Sequence, residues 1–107
     1  MKKGTIKVSV LYPSGEGKTF DMDYYLNKHS EMVTELLGDA MLGATVEEGL
    51  AGGEPDSKPP YHVIGSMYFE SVEAFQNALA PHAEKIMGDI PNFTNIEPII
   101  QISKVVI

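Results

Sequence analysis

His29 is the chain's best claim to chemistry, because it places a titratable ring in the middle of an otherwise apolar helical stripe. The segment that carries it is FDMDYYLNKHSEMVTELLG, residues 20–38. At about 100° per residue from Met22, the side chains of Met22, Tyr25, Leu26, His29, Met32, Val33, Leu36 and Leu37 fall within an arc of roughly 140°. Asp23, Asn27, Lys28, Ser30, Glu31, Thr34 and Glu35 fill the rest. His29 is central in that arc, one turn from Tyr25 and Val33. Two readings stand. In one, His29 is a buried structural residue, hydrogen-bonded to a backbone carbonyl or to Tyr25. In the other, helix and sheet do not close completely, and His29 supplies the polar group of a mostly apolar small-molecule pocket. An imidazole there can act as general base or acid near neutral pH. Tyr24 falls on the polar side and is expected to face solvent or a dimer edge.

No second constellation competes with it. His62 and His82 are too scattered to join His29 in a motif, although haem ligation through His29 or His62 stays open as a distant reading. No HxH, HExxH or paired-carboxylate spacing occurs, so no metal site is expected. Glu47 and Glu48 are adjacent and on a strand would point to opposite faces. The chain contains no cysteine, which removes disulfides and thiolate catalysis. No phosphate-cradling glycine loop, nucleophile elbow or other cofactor motif is visible. Met67 and Phe69 share a strand face with Val63, where they either pack the core or line a pocket.

The elements that must position His29 follow from periodicity. Residues 5–12 alternate polar and apolar and read as a strand. PSGEGK, 13–18, is a turn-rich loop. The helix that follows has Asp21 as its N-cap and Gly38 as its stop. A weaker strand is expected over 40–50, a Gly/Pro loop over 51–60 and the strongest strand over 61–70. Ser71 caps a second helix that Pro81 should kink or split. Residues 88–95 read as a loop, and 98–107 as the last strand. The second helix's stripe is Val72, Phe75, Leu79, Ala83 and Ile86, an ordinary core face. The order is βαββαβ, and right-handed crossovers put both helices on one side. The expected fold is therefore α+β and ferredoxin-like, a four-stranded antiparallel sheet covered on one face. The other face would carry Lys7, Ser9, Leu11, His62, Ile64, Ser66, Tyr68, Gln101, Ser103 and Val105. Such a mixed patch usually marks an interface, so a homodimer packed sheet to sheet is expected.

Bulk properties narrow the partners. A length of 107 residues fits a single domain over 1–107. Net charge is −7 and every basic side chain but histidine is lysine, which argues against nucleic acid and anionic membrane. The absence of arginine also removes the usual bidentate clamp for phosphate or carboxylate. A ligand is accordingly expected to be small, neutral and apolar. No apolar run approaches the ~18 residues of a membrane span and no signal-peptide core follows the N-terminus, so a cytoplasmic location is the default.

Three segments, FDMDYYLNKH (20–29), YHVIGSMYFESVEAF (61–75) and DIPNFTN (89–95), together resemble the EthD family, named for ethyl tert-butyl ether degradation. The resemblance runs over nearly the whole chain. It implies a dimeric α/β barrel, in agreement with the fold read from the pattern. The tyrosine and histidine of the family's first-helix motif match Tyr25 and His29. The aromatic closing the third strand matches Phe69, and the late loop matches Asp89 and Phe93. A proline common two places after the histidine is Glu31 here. The resemblance implies an oxidoreductase, or a cyclase, isomerase or decarboxylase of the same fold, and names no substrate; with no cofactor motif visible and an apolar pocket expected, the reading is a monooxygenase-like enzyme working without a bound cofactor on an apolar phenolic or carbonyl compound. His29 and Tyr25 would be catalytic, and Met67, Phe69 and Phe93 would bind substrate. A non-catalytic dimeric module that binds a hydrophobic metabolite, or an accessory subunit of a degradation pathway, is the alternative.

Overall fold

The computed structural model describes residues 2–107. Met1, the first residue of the expected domain, lies outside them. Strand β1 runs Ile6–Pro13, β2 Gly43–Glu48, β3 Tyr61–Phe69 and β4 Ile99–Lys104. They form one antiparallel sheet in the order β2-β3-β1-β4, the ferredoxin-like arrangement. The molecule is only 19 Å thick along its shortest axis, so one helical layer covers one face and leaves the other open.

Both helical spans are interrupted, each for a local reason. In the first, α1 (Met22–Tyr24) starts where the Asp21 carboxylate accepts the Tyr24 N–H at 3.1 Å. A π-helical turn over Tyr25–His29 follows, then α2 (Ser30–Leu37). Gly38 ends the span with φ +59°, a conformation that costs glycine nothing. The π turn shifts the phase of the helix, which a wheel with one fixed angle per residue misses. Leu26, expected on the apolar stripe, is consequently 44% exposed. In the second span, the Ser71 hydroxyl oxygen accepts the Ala74 N–H at 2.9 Å and caps α3 (Val72–Leu79). Pro81 sits in a 3₁₀ turn that separates α3 from α4 (Ala83–Asp89). The helix then persists into the segment expected as a loop, with a 3₁₀ turn over Ile90–Asn92. Val72 is exposed rather than on the core stripe, while Phe75 and Ile86 are buried.

Strand register fixes the two faces. Towards the helices lie the cross-strand rows Val46–Gly65–Val10–Ile100 and Ala44–Met67–Val8–Ile102. On the open face the rows are Thr45–Ser66–Ser9–Gln101 and Glu47–Ile64–Leu11–Ile99. His62 is half-buried and packs against Phe20 at the end of the sheet, their ring centres 5.7 Å apart.

The apolar layer divides into two clusters. One holds Ile6, Val8, Leu37, Phe69, Phe75 and Ile86. The other is largely aromatic and holds Tyr12, Tyr25, Val63, Ile90, Phe93 and Ile96. The seam between them contains the cavity described next.

Candidate functional site

Glycine creates the space. Gly65 is the centre of the row Val46–Gly65–Val10–Ile100, and all four of these residues line a cavity of about 170 Å³ between sheet and helices. A glycine inside a central strand forgoes packing and marks a close approach by another group. Here that group is the Tyr25 hydroxyl, which occupies the position a Cβ on residue 65 would take. Met67, Met41, Val33, Leu79 and Ile86 contribute further apolar walls, and His29 contributes an ionisable ring.

Two hydrogen-bonded loops bring the His29 partners into place. The loop before α1 is sewn to the segment after α4: the Asp21 N–H donates to the Phe93 carbonyl at 2.7 Å, and Thr94 Oγ1 donates to the Thr19 carbonyl at 2.6 Å. Asn95 adds two bonds, accepting the Thr19 N–H and donating to the Gly17 carbonyl. Phe20 and Thr94 also form an isolated β-bridge. This seam sets Asp89 and Phe93, which come from the far end of the chain, against the π turn.

Asp89 is the residue that sequence reasoning left without a role. Its Oδ2 lies 2.9 Å from His29 Nδ1, with the two side chains only 15% and 8% exposed. Its Oδ1 accepts the Tyr24 hydroxyl at 2.7 Å and the Asn92 side-chain N–H at 2.9 Å. Burial pushes the Asp89 carboxyl up, but the hydrogen bonds from Asn92, Tyr24 and His29 together outweigh it, and the group ends below its ordinary value. An ionised carboxylate only accepts, so Nδ1 must carry the proton in this pair. Nε2 is then the nitrogen left for a ligand, and it has no partner among the described residues. Tyr24, expected at solvent or a dimer edge, is half-buried and bound to Asp89; that hydrogen bond is the main reason its phenol is pushed up.

The expected site residues separate into wall and support. Tyr25, His29 and Met67 line the cavity. Tyr25 does not hydrogen-bond His29: the two rings stack, with centres 5.6 Å apart and planes 18° from parallel. Four residues apart, at the two ends of the π turn, these residues share one side of the helix. Phe93, 3% exposed, packs against the His29 ring at 4.7 Å but does not line the cavity. Phe69 is fully buried against Phe75 at 5.1 Å and belongs to the first cluster rather than the cavity wall. Gly65 and Tyr12 are the members that sequence reasoning missed, and Asp89 was singled out only by the family resemblance, without its pairing to His29. A glycine inside a strong strand was the available signal for Gly65. No signal pairs an aspartate with a histidine 60 positions away. Among the described residues no group of three or more His, Cys, Asp or Glu could hold a metal ion, and no helix is long and apolar enough to cross a membrane.

Comparison with known proteins gives this geometry a family context. Residues 14–97 match the EthD domain family. The solved structure of an EthD-like protein from Ralstonia eutropha is 42% identical over 99% of this chain and 96% of that chain, with a TM-score of 0.91. An EthD family protein from Bacillus halodurans is 18% identical over 94% of this chain and 97% of that chain, with a TM-score of 0.71. A dimeric protein with a ferredoxin-like fold from Bacteroides fragilis shares the fold at 10% identity, over 97% of this chain and 99% of that chain, with a TM-score of 0.59. No curated protein matches the chain.

Proposed function

The chain belongs to the EthD family, and from its cavity we propose that it is an enzyme that moves a proton on a small neutral phenolic or carbonyl compound. The observation that carries this reading is the Asp89–His29 pair beside an apolar cavity. The carboxylate holds Nδ1–H, so Nε2 is presented as a base. The size fits one ring, since apolar cavities of about 150 Å³ take benzene. Anionic substrates are disfavoured, because no lysine lines the cavity.

The reaction begins when Nε2 takes the proton from a phenol O–H or from a C–H beside a carbonyl. The products are an imidazolium, stabilised by Asp89, and a phenolate or enolate. Return of the proton to a different carbon makes an isomerase. Alternatively the anion reduces dioxygen, the oxidant in this branch: a phenol and O₂ give a quinone and water, with the imidazolium proton leaving in the water. Neither branch calls on a bound cofactor.

A second reading is supported by the lining, which is apolar apart from a few groups: a dimeric module that holds a hydrophobic metabolite without converting it. Acetophenone in heavy water separates the two. The enzyme reading expects the wild-type protein to accelerate deuterium entry at the methyl carbon, and His29→Ala to return the rate to that of buffer. Equal rates for both proteins would remove the base. His29→Ala would then act through stability alone, by about 1–3 kcal/mol for a buried, bonded side chain.

We also infer that two copies pack through their open sheet faces. The apolar row Ile64–Leu11–Ile99 on that face supports this, with Ile99 left 51% exposed in the single chain.

A further inference from the structure

We propose that Tyr12 and Tyr25 form a two-donor seat for a single substrate oxygen, opposite the proton-moving nitrogen of His29. The proposal rests on reading the cavity as a substrate site.

The two phenols come from different elements. Tyr12 ends the regular part of β1 on the helix-facing side, paired with Val63 and one row from Gly65. Tyr25 reaches the neighbouring row from the π turn, its hydroxyl lying over Gly65. The rings meet edge to face with centres 6.0 Å apart. Both side chains are almost entirely buried, and both line the cavity.

Their hydroxyls are unused by the fold. By contrast, the buried hydroxyl of Thr94 has work: Thr94 Oγ1 both donates to the Thr19 carbonyl and accepts the Ile96 N–H. Tyr12 and Tyr25 have no hydrogen-bond partner among the described residues. Among the described residues, the one buried side-chain oxygen sealed in protein without a partner is that of Ser66, a residue that also lines the cavity but whose strand register turns its side chain to the other sheet face. Neither phenol oxygen is sealed in protein, and both residues line the cavity. A buried donor left without a partner costs about 1–3 kcal/mol, so two on residues lining one cavity point to a ligand atom that satisfies them.

The chemistry fits the reaction proposed above. Removing a proton from a phenol, or from carbon beside a carbonyl, leaves negative charge on one oxygen. Donors fixed where that charge develops stabilise the transition state more than the ground state. Both phenols keep their protons at neutral pH. Burial pushes Tyr25 up to about 12. Burial and then the neighbouring Tyr25 push Tyr12 higher still. Stacking of Tyr25 on His29 couples the seat to the base in one rigid unit.

Calorimetric binding of two compounds of one shape tests this: acetophenone, and α-methylstyrene, in which a methylene replaces the carbonyl oxygen. The wild-type protein should prefer acetophenone by about tenfold, as expected for two net hydrogen bonds. Tyr12→Phe and Tyr25→Phe should each reduce that preference to about threefold, with a melting temperature no lower than wild type, since each removes a buried donor that the fold leaves unpaired. If wild type binds both compounds equally, or the Phe variants keep the full preference, the seat is overturned and the cavity stands. If neither compound binds, the substrate-site reading falls, and the seat with it.

Discussion

At the scale of residues, what Asp89 does for His29 decides the chemistry of the cavity. Asp89 receives three hydrogen bonds, from His29, Tyr24 and Asn92. Asp89→Asn replaces an acceptor with a group that cannot take all three, and should lower the unfolding free energy by about 1–3 kcal/mol. The pH dependence has a definite sign. Asp89 titrates lower in the folded protein than its ordinary 3.8, so its stabilisation is present above that value and is lost as pH falls through the folded one. Urea unfolding should therefore show the gap between wild type and Asp89→Asn at neutral pH and show it closing in acid. A gap that persists in acid would mean that the carboxylate's charge is irrelevant. His29 and Tyr25 were legible at this scale because an apolar stripe interrupted by one titratable ring is a local pattern. The Asp89 partnership was not, because it is made by two loops that meet only after the sheet has closed.

At the scale of elements, the π turn and Gly65 act together. The turn over Tyr25–His29 stacks the two rings, and Gly65 leaves room on β3 for the Tyr25 hydroxyl. Substituting Gly65→Ala should destabilise the wild-type protein, because the new methyl meets that hydroxyl. In a Tyr25→Phe background the nearest ring carbon stands 3.8 Å from the new methyl, an ordinary contact. There Gly65→Ala should be neutral, or stabilising by up to about 1 kcal/mol from the glycine entropy alone. A double-mutant cycle by thermal unfolding measures the difference. Equal costs in both backgrounds would show that the Tyr25 hydroxyl does not occupy the Gly65 space. The strands, the caps Asp21 and Ser71, the stop at Gly38 and the break at Pro81 were all readable from local chemistry. The π turn was not, since it breaks the constant angle on which a helical wheel depends. Leu26 is the residue misplaced by it.

At the scale of the whole molecule, a sheet covered on one side has to settle its other face. The topology was legible because βαββαβ order with right-handed crossovers leaves few arrangements. The occupant of the open face is a matter of proposal. Ile64 is half-buried in the middle of that face, beside Leu11 and Glu47. If two copies meet there, native mass spectrometry should give a dimer for wild type and a monomer for Ile64→Asp, with the fold retained by circular dichroism. A wild-type monomer would contradict the paired sheets.

The central claim is that Asp89 fixes the His29 proton on Nδ1 and so presents a bare Nε2 to a ligand cavity. Nitrogen-15 NMR of the His29 ring tests it most directly, in the free protein and with acetophenone added. The account predicts a protonated Nδ1 and an unprotonated Nε2, with the Nε2 signal moving when acetophenone is added. A ring protonated on Nε2, or an Nε2 signal that ignores the ligand, would make His29 a structural residue and contradict the account.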